Sequence, residues 1–250
     1  MAKAGVALQL YTVRDDAARD FVGTLRKVAA IGYTAVEFAG SGGLSAAELR
    51  DLCAELGVTA AGSHTGIEAL EDDFQGVVDW HHTMGARFVT VPGLPGNRFP
   101  RTVDAYQRAG EELGALGRRL RAEGLHLCYH NHAHEFFDAP QGTGLDTLYG
   151  ASDPDDLGAE LDVYWAAKAN VDPAAYIRKL GMRCRLLHVK DMAADGDFAE
   201  VGAGVLNFDA MFSAADEVGS SWLIVEQDSC KRPPLEAVAT SLRNLRAWGR

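Results

Sequence analysis

Ionisable side chains recur at the ends of short apolar runs in this chain, and their types suit metal and proton chemistry. Gln9 and Tyr11 close the first run, Glu37 the second and His64 the third, and His130 and His132 close the fifth. Glu160 and Asp162 close the sixth, His188 and Lys190 the seventh, and Glu226 and Asp228 the eighth. A lone His at a strand end is more often a hydrogen-bonded structural residue than a ligand, and a lone Asp commonly caps the next helix. Convergence changes that reading. His130, Asp162, His188 and Glu226 close four successive runs, and His132 lies beside the first of them. Mixed imidazole and carboxylate donors suit Mn²⁺, Co²⁺, Zn²⁺, Fe²⁺ or Mg²⁺ better than Ca²⁺, which prefers oxygen alone. Period-two alternation puts His130 with His132, and His188 with Lys190, on one face. Lys190 is therefore expected as a cationic substrate contact beside the ion, with His64, Glu37 and His132 as further substrate contacts. His81, His82 and His126 fail the convergence test and are read as bystanders.

These residues need a scaffold that brings strand ends together. The apolar runs are Val6–Leu10, Thr34–Phe38, Val58–Ala61, Phe88–Val91, Leu125–Tyr129, Leu157–Leu161, Leu186–Val189 and Trp222–Val225, with helix-period stretches between them. Gly32, Gly57, Gly85, Gly124, Gly181 and Gly219 each precede a strand, where a helix wants a left-handed terminator. Ser45 with Glu48 is a capping-box signature, and Thr102 to Glu123 is the longest helical stretch. Its Arg118, Arg119 and Arg121 read as a solvated face. Gly202-Ala203-Gly204 reads as a mobile loop, and Pro92 to Gly96 as a turn-rich loop shaping a pocket wall. No linker or low-complexity run divides the chain, so the expectation is one (β/α)₈ barrel over residues 1–250, with its functional face at the C-terminal strand ends.

Composition narrows the function. Of the 250 residues 47% are hydrophobic and 24% charged, which suits a globular core. The net charge of −11 opposes an extended phosphate backbone, which excludes nucleic acid as the expected partner. Four scattered cysteines without a CxxC pair, no signal-like h-region and no long apolar span point to a cytoplasmic protein that neither is secreted nor enters a membrane.

Five motifs now carry a resemblance: Leu8-Gln9-Leu10-Tyr11-Thr12-Val13-Arg14-Asp15; Tyr129-His130-Asn131-His132 with Glu135-Phe136; Leu161-Asp162-Val163-Tyr164-Trp165; His188-Val189-Lys190-Asp191; and Glu200-Val201-Gly202-Ala203-Gly204. In this order, and over nearly the whole chain, they resemble the sugar phosphate isomerase/epimerase family of the xylose isomerase-like barrel superfamily. The resemblance implies a metal held by a strand-five Glu, a strand-six Asp, a strand-seven His and a strand-eight Glu. The last three fall on Asp162, His188 and Glu226. At strand five this chain departs and has His130, with Glu135 five residues on. Trp165 stands where ketose epimerases of the superfamily place a substrate-binding His, and it joins Lys168 as a substrate-binding candidate. The three-zinc abasic-site endonuclease of the superfamily needs extra ligands and a basic surface that this sequence lacks.

The expected function is thus a metal-dependent isomerase or epimerase that abstracts a proton next to the carbonyl of a keto sugar or polyol derivative. A lyase acting on a keto sugar or inosose through the same ligands is the alternative, and a non-catalytic sugar-binding barrel a third reading. Glu226 would serve as ligand and base, and Glu135 as a second base, with His130 rather than Glu135 as the strand-five ligand. The expected partner is a small sugar-like molecule, and assembly into a homo-oligomer is compatible with all of this.

Overall fold

The computed structural model describes residues 3–250. Eight strands form a closed parallel barrel in which every strand pairs with its neighbours in sequence and the last closes on the first. They are β1 (Gly5–Gln9), β2 (Ala35–Phe38), β3 (Thr59–His64), β4 (Phe88–Val91), β5 (His126–His130), β6 (Gly158–Asp162), β7 (Cys184–Val189) and β8 (Trp222–Val225). All eight expected runs are strands. β7 begins two residues earlier than its apolar run, because Cys184 pairs with Ala159 before Arg185 bulges out of the ladder.

Side chains on the outer face of the barrel, among them Leu8, Val36, Leu127, Leu161, Leu187 and Val225, pack with the surrounding helices into one large buried cluster. The inside is different. Ala7, Ala35, Ala61, Phe88, Cys128, Leu186 and Ile224 plug its lower end. Above that plug the inward positions turn polar, and Gln9, Glu37, Thr90, His130, Glu160, Asp162, His188 and Lys190 are all almost fully buried. Ionisable groups so placed are costly unless paired or bound.

Register shifts occur at two places only among the described barrel pairs, between Val36 and Glu37 where β2 meets β3, and between Ala159 and Glu160 where β6 meets β7. Such bulges re-aim side chains and gather beside active sites. Gly62, facing the first, admits no side chain: a Cβ there would lie 2.9 Å from the Phe88 carbonyl oxygen and 3.4 Å from Glu37 Oε1.

Helix ends follow the expected chemistry. Ser45 and Glu48 form the capping box, and the six expected glycines all have positive φ. Two expectations need correction. Arg118 and Arg121 are not merely solvated, since both reach the buried Asp156 carboxylate, at 3.1 and 2.9 Å. The Gly202–Gly204 loop is not free either: Asp191 Oδ2 accepts the N–H of Gly202 and of Gly204, and its Oδ1 those of Met192 and Leu206. Asp191–Met192 in turn pairs antiparallel with Phe198–Ala199, a small ladder above the barrel. No helix among the described residues is long and apolar enough to cross a membrane.

Candidate active site

At the C-terminal end of the barrel opens a cavity of about 580 Å³. Tyr11, His64, His130, His132, Trp165, Phe198, Glu226 and Asp228 line it, with Ala39 and Pro92 from the loops after β2 and β4. Just beneath this wall lie Asp162, His188 and Lys190, each no more than 1% exposed.

The four expected ligands come together: one donor atom each from His130, Asp162, His188 and Glu226 lie within 4.8 Å of one another. His130 Nε2 is 3.3 Å from Asp162 Oδ2, and His188 Nδ1 donates to Glu226 Oε2 at 2.8 Å. Asp162 keeps its conventional helix role as well, because its Oδ1 accepts the Trp165 N–H and starts the helix Val163–Lys168. Lys190 threads into this group. Its Nζ lies 3.0 Å from Asp162 Oδ2, 2.6 Å from Glu226 Oε2 and 3.0 Å from Asp228 Oδ1. It therefore balances carboxylates instead of facing the cavity as a free substrate contact, which corrects the role expected of it.

Glu37 is also displaced from its expected role. It lies wholly buried under the pocket, where Gln9 Nε2 and His188 Nε2 donate to its Oε2 at 2.7 and 2.8 Å. His64 sits between the two levels, lining the cavity while its Nε2 contacts Glu160 Oε2 at 3.0 Å.

The charges set ionisation. Burial pushes Glu226 upward, but the Lys190 ammonium and His188 outweigh it and hold this carboxyl well below the usual range. Asp162 falls to about 2 for the same reason, against its burial. Asp228 goes the other way, raised by burial and by the neighbouring Glu226 despite Lys190. Burial lowers His130 to about 3 and His132 to about 4, so both are neutral imidazoles. His188, whose own burial opposes a charge, is raised well above its ordinary value by Glu160 and Glu226. Glu37 rises to about 7 through burial and the adjacent Glu160.

Glu135 does not reach the cavity. Its Oε1 accepts the Tyr129 hydroxyl at 2.8 Å and its Oε2 the His132 N–H at 2.8 Å, so it braces the loop after β5 from behind. Tyr129 belongs to the outward face of its strand, and that draws the carboxylate away from the axis. Lys168 is likewise elsewhere, donating to the Gly196 carbonyl at 2.6 Å.

Asp228 and Tyr11 line the cavity, although the sequence marks them only as polar strand ends. Asp228 follows Glu226 by two residues, and that spacing is the signal that marks it. Phe198 had none: it arrives on the Asp191–Ala199 ladder, where Tyr164 stacks on it with centroids 4.2 Å apart. Two ring atoms of the cavity wall, Trp165 Nε1 and His132 Nδ1, are buried without a hydrogen-bond partner.

Comparison with known proteins matches residues 25–248 to the family described as xylose isomerase-like TIM barrel. The chain is 27% identical over 197 residues to an inosose dehydratase of Lacticaseibacillus casei, covering 63% of this chain and 63% of that protein, which is under two thirds of its length. To an inosose dehydratase of Klebsiella pneumoniae it is 24% identical over 226 residues, 70% of each. Among solved structures, a sugar phosphate isomerase/epimerase from Parabacteroides distasonis superposes with a TM-score of 0.83 at 25% identity, covering 99% of this chain and 95% of that one. A probable 3-DHS dehydratase of Bacillus anthracis shares the fold, with a TM-score of 0.75 at 10% identity over 97% and 98% of the two chains.

Proposed function

Because the chain belongs to the xylose isomerase-like TIM barrel family, we propose that it dehydrates a neutral keto-polyol, removing a proton beside the carbonyl and expelling a hydroxyl one carbon further on. The observation that carries this reading is the pair Glu226 and Asp228, two residues apart after β8 and both lining the cavity. Their environments push them in opposite directions, one toward the ionised base and the other toward the protonated acid. Glu226 would take the α-proton, and Asp228 would give a proton to the departing hydroxyl on the same side of the ring. Epimerisation by two carboxylates facing each other would need one after β5. That position holds the neutral His130, and Glu135 is turned away.

His130, Asp162, His188 and Glu226 fit a divalent ion as two imidazole and two carboxylate donors, and Glu37 stands behind His188 as the outer carboxylate such a ligand usually has. Bound there, the ion would supply Lewis-acid polarisation of the substrate's oxygens. Trp165 Nε1 and His132 Nδ1, otherwise unpartnered, would hydrogen-bond substrate hydroxyls. Tyr11, Trp165 and Phe198 give the cavity wall aromatic surface that suits the apolar side of a cyclic polyol. No Lys or Arg among the described residues lines the cavity, and the cations nearby are committed: Arg14 to the Tyr11 and Asp228 carbonyls, Lys168 to that of Gly196, Lys190 to three carboxylates. Nothing is left to clamp a phosphate, which supports a neutral substrate.

The inosose dehydratase relatives support dehydration. The isomerase/epimerase neighbour favours a second reading, isomerisation, in which the same base returns the proton to the adjacent carbon. One experiment separates them: protein with Mn²⁺ in D₂O and a panel of inositol ketones and keto-hexoses. Dehydration predicts loss of water by mass and a conjugated enone in the ultraviolet, both abolished in Glu226→Gln. Solvent deuterium in a product that has kept its water would replace dehydration by isomerisation. No deuterium and no water loss would remove both.

A further inference from the structure

We propose that the barrel has a second, deeper divalent-cation site formed by Glu37, His64, Glu160 and His188, separate from the pocket set and sharing only His188 with it. The four residues come from β2, β3, β6 and β7, opposite sides of the barrel, and their donor atoms lie within 4.8 Å of one another. His188 Nε2 is 2.8 Å from Glu37 Oε2 and 3.3 Å from Glu160 Oε2, while His64 Nε2 is 3.3 and 3.0 Å from the same two oxygens. Tetrahedral zinc at its usual nitrogen and oxygen distances would want ligand edges of about 3.3 Å. Small outward movements of four side chains therefore make the cage.

Three further observations point to a cation there. The first is charge. Of the five acidic side chains on the barrel axis, Lys190 touches Asp162, Glu226 and Asp228. Glu37 and Glu160 are left with no Lys or Arg, and only the imidazoles of His64 and His188 stand against them. The second is hydrogen bonding: Glu37 Oε1 and Glu160 Oε1 are buried without a partner in residues that are 0% exposed. Such groups need an explanation. The third is the backbone. Both register shifts of the barrel fall at these carboxylates, and the bulged strands β3 and β7 carry the two histidines.

The site is closed, with two nitrogens and two oxygens and no place for substrate, so its chemistry is that of a structural Zn²⁺ or Co²⁺. An ion would replace the proton that His188 Nε2 gives to Glu37. With the pocket set also filled, the imidazole would present a nitrogen to each ion and lose its remaining ring proton. The occupied site would tie β2 and β3 to β6 and β7 through the middle of the barrel.

The test is metal stoichiometry of the full chain, stripped by chelator, loaded with excess Zn²⁺, dialysed and measured by elemental analysis. Wild type should hold two ions per chain and Glu160→Gln one, with Glu37→Gln as the companion should the first variant misfold by circular dichroism. Cobalt loading should give intense tetrahedral absorption that the Glu160 variant loses and Asp162→Asn retains. Saturation at one ion that survives in both glutamine variants would overturn the proposal and leave shared protons to hold the pair. One ion lost in Glu160→Gln but kept in Asp162→Asn would uphold the deep site and remove the pocket ion. No zinc at all would overturn both.

Discussion

Lys190→Met removes the one ammonium at the centre of the pocket while keeping much of its side-chain length. The lysine is 1% exposed and touches Asp162, Glu226 and Asp228 at 2.6 to 3.0 Å. Deleting one partner of a buried ionic group typically costs about 3–5 kcal/mol, because the charges left behind stay desolvated. For a chain of this size each kcal/mol moves Tm by about 2–4 °C, so chelator-treated variant should melt about 6–20 °C below wild type. The difference should shrink in acid. Asp162 and Glu226 have folded pKa values depressed by Lys190, so the stability they contribute is present above the ordinary carboxylate range and lost as pH falls toward about 2. Without Lys190 they protonate earlier, and the variant has less of that stability to lose. Divalent metal should narrow the difference. The ion competes with the ammonium for the same two oxygens, so Mn²⁺ should bind the variant at least about tenfold more tightly, a gain of about 1.4 kcal/mol. Thermal denaturation with chelator and with Mn²⁺, alongside calorimetric titration, measures both effects. An unchanged apo melting temperature, or equal Mn²⁺ affinity in the two proteins, would refute the view that Lys190 holds the charge balance.

Asp228→Asn should lower dehydration by about 10²–10⁴-fold with KM little changed, since it deletes the acid alone; steady-state kinetics would show this, and in wild type the rate should fall as pH rises past the raised pKa of Asp228, which removes the donor's proton. Glu135→Gln should leave Mn²⁺ affinity unaltered in calorimetry, whereas His130→Ala should weaken it by at least about tenfold. The same Glu135 variant should be less sensitive to pH. Burial raises this carboxyl from 4.5 to about 7, so wild type loses about 3 kcal/mol as pH climbs through that window, and urea unfolding at pH 5 and 8 would register the difference. Gly117→Ala should destabilise by about 1–3 kcal/mol without touching metal binding, because a Cβ there would lie 1.7 Å from the Asp156 carbonyl oxygen; denaturant melts would measure it.

The barrel was legible because its signals are local. A glycine before each strand, apolar runs and caps such as Ser45 announce elements one at a time, and eight alternating units leave few topologies. The converging set of His130, Asp162, His188 and Glu226 was legible for a related reason: strand ends in a barrel meet at one axis whatever their separation in sequence. What stayed hidden depends on distance between side chains. Lys190 reads as a free cation until three carboxylates are seen around it, and Glu135 reads as a spare base until Tyr129 claims it. Glu37 lies one layer too deep for substrate, a difference of one pleat that no residue type encodes. Phe198 reaches the pocket through a ladder of two-residue strands, too short to leave a periodic pattern.

The Asp191 anchor has a consequence for the timing of binding. Four backbone N–H groups converge on that carboxylate, next in sequence to Lys190, and the ladder they fasten carries Phe198 over the cavity. On this flank the mouth is a fixed aperture, ordered when the chain folds and not when ligand arrives. Encounter here is set by diffusion and desolvation rather than by the waiting time of a closing flap.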